Sequence, residues 1–407
     1  MKLSMTGLLL LVVLLTANLA SARDCPSKLP AQLWDVTDTL SIGAELRGFY
    51  VGMKPGDGLP ISASEKESWD SMFLAGLRTS LLWTPFEDWS LTWEGEARYK
   101  NPGWENRPVP GLDGRLWQLY VAYDGRPVSA AAGLQIVNFG MSSIIDQRFI
   151  AARVDYSGDL FSIGMFGGAT MEFLTRNASN CLWVRYTSAT TGWRTLSHDL
   201  DNFVAGAQFS YKGLRPWRAQ ALYLWAYPSM EHHRSHALVG NFGGPIVRKS
   251  ISMDIEPALL LDHQNRVMGS VTGEVRWHIP IFSVPPLLRL AAASAFGYSA
   301  SAPFAPVYEN LSWGLLKRYS LFEGHLFQGR LEWNPREWVR PTVRYVAQTF
   351  NFTKEQSSDE LDAGVEFKIA EPYWLLLSYV AMNVVGPHQP SHGVYFEARA
   401  VLGADTF

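Results

Sequence analysis

Trp89 to Tyr99 reads WSLTWEGEARY, and its side chains fall into two alternating sets. Trp89, Leu91, Trp93, Gly95, Ala97 and Tyr99 form one; Ser90, Thr92, Glu94, Glu96 and Arg98 form the other. Successive side chains of a β-strand point to opposite faces, so this segment has one apolar face and one polar, charged face. A helix would place its apolar residues every third or fourth position instead. The apolar face starts and finishes in an aromatic ring, as a strand does whose two ends meet two membrane interfaces.

The alternation recurs along the chain. Leu40 to Tyr50 sets Leu40, Ile42, Ala44, Leu46 and Tyr50 against Ser41, Gly43, Glu45 and Arg47. Phe203 to Tyr211, Trp217 to Tyr227, Val267 to Trp277 and Val339 to Thr349 repeat it, each close to the length a tilted strand needs to cross hydrocarbon. Turn residues separate many of these segments: Asp88, Asp124-Gly125, Ser157-Gly158-Asp159, Lys212-Gly213 and Asn334-Pro335. Between these short turns lie longer links over 54–71, 100–114, 140–147, 170–201, 228–248, 299–320, 351–360 and 384–392. Short turns on the periplasmic side and long loops outside are the asymmetry of outer-membrane barrels.

Composition points the same way. Of 407 residues, 16 are Trp, 13% are aromatic and only 18% are charged, an aromatic load beyond what a soluble core requires. After residue 22 no apolar run is long enough for a membrane-spanning helix. The expected fold is therefore all-β: a transmembrane, antiparallel, up-and-down β-barrel. About seventeen strands can be counted and an even number is expected, so eighteen is the expectation and sixteen the alternative. The strand missing from the count is expected near 181–190 or 232–242.

The N-terminus reads as a targeting signal. Lys2 precedes the apolar run Leu8 to Leu15, and Ala20-Ser21-Ala22 offers a small-x-small site, so cleavage is expected after Ala22. Residues 23–39 are then expected as a periplasmic N-terminal segment and 40–407 as the barrel. Ala22-Arg23-Asp24 before Cys25 is not a lipobox. Cys25 and Cys181 are the two cysteines; an oxidising compartment permits a bridge between them, and two separate thiols are the other reading. Gly393 to Leu402 alternates again, and a strand ending near the terminal Phe407 resembles a barrel-assembly signal.

The polar faces give the candidate functional residues, those expected to line a water-filled interior. The bases are Arg47, Arg78, Arg98, Arg153, Arg218, Arg276, Arg289, Arg330, Arg340, Arg344, Lys368 and Arg399. The acids are Glu45, Glu94, Glu96, Asp155, Asp254, Glu256, Glu274, Glu332, Asp362, Glu366 and Glu397. The signs nearly balance, which suits a neutral or weakly charged hydrophilic solute better than a strongly anion-selective path. Alternatively, these charges pair across neighbouring strands and brace the wall.

From Trp83 to Gly168 the chain resembles alginate-export-type outer-membrane porins. Thr84-Pro85-Phe86-Glu87-Asp88-Trp89 looks like that family's first tight turn, and Leu116-Trp117-Gln118-Leu119-Tyr120-Val121 is similar to its "R-Q-A-Y-V" strand. Gly133-Leu134-Gln135 followed by Asn138-Phe139-Gly140 resembles "G-R-Q-x-x-x-x-G", with Leu134 where the family has arginine; Phe149 to Tyr156 is similar to the following strand and Glu360-Leu361-Asp362 to an "E-L-D" strand. The resemblance implies an eighteen-stranded monomer passing a secreted polysaccharide outward.

Catalytic motifs are missing: there is no GxSxG, HExxH, P-loop or CxxCH, so no enzyme, cofactor or resident metal is expected. His232, His233 and His236 (HHRSH) read as a solvated external loop rather than a metal site. The 170–201 link, with Cys181, Trp183, Trp193 and His198, is either a surface loop or a constriction folded into the lumen. A net charge of −3 favours no nucleic acid partner. The expected function is an integral, multi-pass channel of the cell outer membrane for exopolysaccharide export. The alternatives are a diffusion porin for uptake of small hydrophilic solutes and a structural sheath around an electron-transfer protein. The expected partners are outer-membrane lipid, a polysaccharide or small solute and, for export, a periplasmic scaffold.

Overall fold

The period-two segments become strands because alternating side chains can satisfy lipid on one face and polar neighbours on the other only if every backbone group pairs across a closed sheet. The computed structural model describes residues 33–54, 70–102, 111–139, 146–170, 202–228, 235–247, 250–261, 267–280, 282–296, 324–350, 358–370, 373–385 and 390–402. Every regular element among them is a strand. In chain order these are β1 (Trp34–Thr37), β2 (Leu40–Lys54), β3 (Asp70–Phe86), β4 (Trp89–Pro102), β5 (Gly111–Tyr123), β6 (Val128–Asn138) and β7 (Asp146–Ser157). They continue with β8 (Phe161–Thr170), β9 (Asn202–Tyr211), β10 (Arg218–Pro228), β11 (Ser235–Val247), β12 (Ile251–Leu261) and β13 (Val267–His278). The last six are β14 (Leu287–Phe296), β15 (Gly324–Glu332), β16 (Val339–Phe350), β17 (Ser358–Ala370), β18 (Tyr373–Met382) and β19 (Ser391–Leu402).

Each strand from β2 to β19 pairs antiparallel with its sequence neighbours, and β19 pairs with β2. The result is a closed barrel of 18 strands, as expected from the sequence. The closing seam runs over Leu402↔Ala44 to His392↔Lys54 and leaves none of β2 to β19 at an edge. The short β1 lies in the expected N-terminal segment and pairs with the start of β2, Trp34 opposite Ile42. There Ser41 Oγ donates to Asp35 Oδ1 at 2.5 Å.

The strand missing from the sequence count is β11. The 228–248 link therefore needs correction, since residues 235–247 pair on both sides, with β10 and with β12. The other suspected location, 181–190, lies outside the described residues. HHRSH also needs correction: His236 belongs to β11, stacked on Tyr223 with ring centroids 5.9 Å apart, and its Nδ1 lies 2.6 Å from Tyr223 Oη. His232 and His233, the signal segment, Cys25, Cys181, residues 171–201 and Phe407 lie outside the described residues.

The outer face carries the apolar set. Leu46, Val121, Val154, Leu238, Leu259, Val271, Val343 and Leu377 are all exposed, the arrangement of a wall that faces lipid rather than a second sheet. Aromatic pairs mark both ends of that band. On the turn side Trp89 meets Tyr123 at 5.2 Å and Trp217 stacks on Phe242 at 5.0 Å. On the loop side Phe73 meets Tyr99 at 6.5 Å and Phe203 meets Trp225 at 6.0 Å.

Candidate functional site: the inner wall

Alternation decides which side chains point inward, and register decides which of them meet. The antiparallel ladder places Arg276 opposite Arg289, Arg289 opposite Arg330, Arg330 opposite Arg344, and Arg344 opposite Asp362. Four arginines thus stand side by side on four adjacent strands, β13 to β16. Like charges directly opposite one another repel, so the row persists only with acids close by.

Those acids sit on the same inner face. Glu274 takes Arg276 Nη2 at 2.6 Å and lies 3.8 Å from Arg289 Nη1. Glu332 lies between Arg330 Nε, at 2.8 Å, and Arg289 Nε, at 3.3 Å. Both are charge contacts rather than aligned hydrogen bonds, because Arg289 Nε, Arg330 Nε and Glu332 Oε1 make no hydrogen bond. Arg344 Nε donates to Asp362 Oδ2 at 2.8 Å, and Arg340 pairs with Glu366. Asp254 pairs with Arg218 and lies 3.4 Å from Arg276. Glu256, one inward position along β12 from Asp254, is wholly buried opposite Thr272.

Three further groups belong to the charged wall. Arg47 Nε lies 2.8 Å from Glu397 Oε1, and Tyr395 Oη donates to Glu397 Oε2 at 2.6 Å. The Arg399 and Lys368 cations stand 5.8 and 5.4 Å from the Trp374 ring centroid. On β7 Arg153 grips Asp155 through Nε at 2.6 Å and Nη2 at 2.9 Å. Arg98 lies on β4 opposite Gly76 in the register; its side chain is outside what the structure describes.

Near the seam, Glu45 faces Arg78, which faces Glu96. Arg78 Nε donates to Glu94, and Gln118 Nε2 donates to the same carboxylate's Oε2 at 2.9 Å. Trp117 joins this group against the sequence pattern. A bulge pairs Glu94 with Gln118 and Gly95 with Leu116, leaving Trp117 as the extra residue. Its ring lies 5.5 Å from the Arg78 guanidinium carbon, and its Nε1 donates to Glu96 Oε2 at 3.0 Å. An alternating pattern cannot place a bulged residue. The one available signal was a Trp immediately before a Gln on an otherwise regular strand.

The expectation of a polar interior throughout also needs correction. Toward the loop-side ends of β6 to β16 the inner face holds a buried apolar cluster, interrupted by Gln135, Ser270 and Gln348. Val137, Phe149, Phe166, Val204, Leu222, Leu224, Val239, Leu260, Leu326 and Val346 belong to one buried cluster. Leu224, Val239 and Val346 have no exposed surface at all. The charged rows lie nearer the turn side, so the inner wall of this sector has two zones: an apolar collar and a charged belt.

Among solved structures, the chain is similar in fold to OccK11 (OpdR) of Pseudomonas aeruginosa, with 12% identity, a TM-score of 0.56, and coverage of 93% of this chain and 99% of that one. It is likewise similar to OccK5 (OpdH) of the same organism, with 11% identity and a TM-score of 0.59 over 89% of this chain and 98% of that one. OccAB3 of Acinetobacter baumannii matches at 11% identity and a TM-score of 0.57 over 88% and 98%. No protein-family model and no curated protein sequence matches the chain. At these identities the likeness concerns fold. Those fold neighbours carry Opd and Occ names, not names of alginate-export porins, so they lend the family expectation no support.

Proposed function

We propose that the protein is a diffusion channel of an outer membrane for small hydrophilic solutes. The observation that carries this reading is the closed barrel of 18 strands with an apolar, aromatic-edged outside and a charge-lined inside. A barrel of that strand number has room for a hydrated path beside its wall side chains. Its neighbours in fold are outer-membrane porins, which supports both the location and a non-enzymatic role. Export of a polysaccharide, toward which the sequence leans, has less support. A path for a polyanion would carry a net positive field, whereas Glu274, Glu332, Asp362 and Glu366 each offset an arginine of this wall.

Purified protein in a planar lipid bilayer tests the reading. It should give discrete conductance steps in KCl with weak preference between cation and anion. A bilayer that holds inserted protein and shows no ion current would overturn it.

A further inference from the structure

Between the apolar collar and the charged belt, one inner row of β9 to β13 is different from both. The register sets Ser210 opposite Gln220, Gln220 opposite Asn241, and Glu256 opposite Thr272. The flanking β11–β12 pairs, Val239↔Ala258 and Phe242↔Ile255, place Asn241 beside Glu256. Five adjacent strands therefore present hydroxyl, amide, amide, carboxyl and hydroxyl at one height. At about 4.8 Å between strands, that is a polar track roughly 20 Å long.

The centre of the track is unsatisfied. Asn241 is 2% exposed, and both its Nδ2 and its Oδ1 lack a hydrogen-bond partner. Ser270 Oγ, one row toward the collar, and Gln328 Oε1, on β15, are also buried without one. Burial of a polar group without a partner costs free energy, and these groups all belong to uncharged side chains. Among the ionisable side chains nearby, Arg218 meets Asp254 and Arg276 meets Glu274, while Glu256 stands in the row itself, wholly buried. Beside Asn241, Gln220 is half-buried and donates to Ser210 Oγ at 3.1 Å, which gives the track an approachable flank.

A partner for this row must both donate and accept, must carry no charge that would compete with the belt, and must tolerate apolar wall on one side. A polyol ring has that chemistry, with hydroxyls around its edge and C–H groups on its faces. We infer that the row centred on Asn241 is a binding track for a neutral, polyhydroxylated solute such as a short oligosaccharide. The inference rests on the channel reading and narrows its solute class.

Current block by maltotriose in a planar bilayer tests it on the full-length protein. Maltotriose should reduce the KCl current reversibly. Asn241→Leu, close in volume, should raise the half-blocking concentration about tenfold while the sugar-free conductance stays the same. Gln220→Leu, on the half-buried flank, should act in the same direction and keeps the test open if the first variant fails to fold. An open pore that maltotriose does not block, or blocks equally in both variants, overturns the track and leaves the channel standing. A protein that inserts and never conducts overturns both.

Discussion

Arg78 on β3 and Glu94 on β4, diagonal neighbours in the register, form a nearly solvent-free ion pair on the inner wall, with side chains 7% and 3% exposed. Trp117 covers the guanidinium, and Gln118 holds the other carboxylate oxygen. Removing one partner strands a buried charge, which costs far more than a surface pair is worth. Arg78→Ala should lower unfolding free energy by about 3–5 kcal/mol. Chemical unfolding of the liposome-inserted protein measures this. Arg78→Met/Glu94→Leu together should lose much less than the sum of the two single changes.

Glu332 is the acid between Arg289 and Arg330, at 3.3 and 2.8 Å. Glu332→Gln leaves the row Arg276, Arg289, Arg330, Arg344 with one fewer negative charge on the wall. The interior field then becomes more positive. The reversal potential under a KCl gradient should move toward chloride, and Arg330→Gln should move it toward potassium. No change in either variant would place the ion path elsewhere than along β14 to β16.

Asp359 holds the chain that leaves β18. Its Oδ1 accepts the Val384 N–H at 2.5 Å, and its Oδ2 accepts the Val385 N–H at 2.9 Å and the Tyr345 hydroxyl at 3.2 Å. Hydrogen bonds to a charged group contribute about 1.5–3 kcal/mol each and are rarely additive within one cluster. Asp359→Ala should therefore cost roughly 2–4 kcal/mol. Tyr345→Phe should cost about 1 kcal/mol, because the two backbone donors remain.

Two glycines mark the extremes of what an added Cβ costs in this wall. Gly133 has φ of 128°, and a Cβ there would come 2.4 Å from the Leu119 carbonyl oxygen. Gly133→Ala should lose about 1–3 kcal/mol or fail to insert. A Cβ on Gly329 would first meet Leu290 and Phe327 side-chain carbons at 3.8 Å, ordinary contact. Gly329→Ala should stay within about 0.5 kcal/mol of the parent, measured by the same unfolding experiment.

The contrast between β4 and β11 shows what the sequence could reveal. In β4, Trp93 and Ala97 lie on one parity and Glu94 and Glu96 on the other, so the period is written in polarity. In β11, Ala237 and Val239 point inward while Leu238 and Phe242 point outward, so both faces are apolar and no period appears. Gly240, Gly243, Gly244 and Pro245 then make the strand look like a loop. The apolar collar was hidden for the same reason: Leu222 and Leu224 alternate with Tyr223 and Trp225, which differ from them in facing and not in polarity. The charged residues were legible as a set but not as pairs. Which arginine meets which acid depends on register, and register depends on strand ends and on the bulge at Trp117 that a single sequence does not announce.

The account stands on the two-sidedness of each strand, and β16 offers the clearest single test. Nitroxide labels placed one at a time at residues 339–348, with Cys25 and Cys181 replaced by serine, report collision with oxygen, which partitions into lipid, and with a water-soluble nickel chelate. The account predicts oxygen maxima at Val343, Tyr345 and Ala347 and none at Arg344, Val346 or Gln348, a strict period of two. Equal oxygen access at Arg344 and Val343, or a period near 3.6, would contradict it.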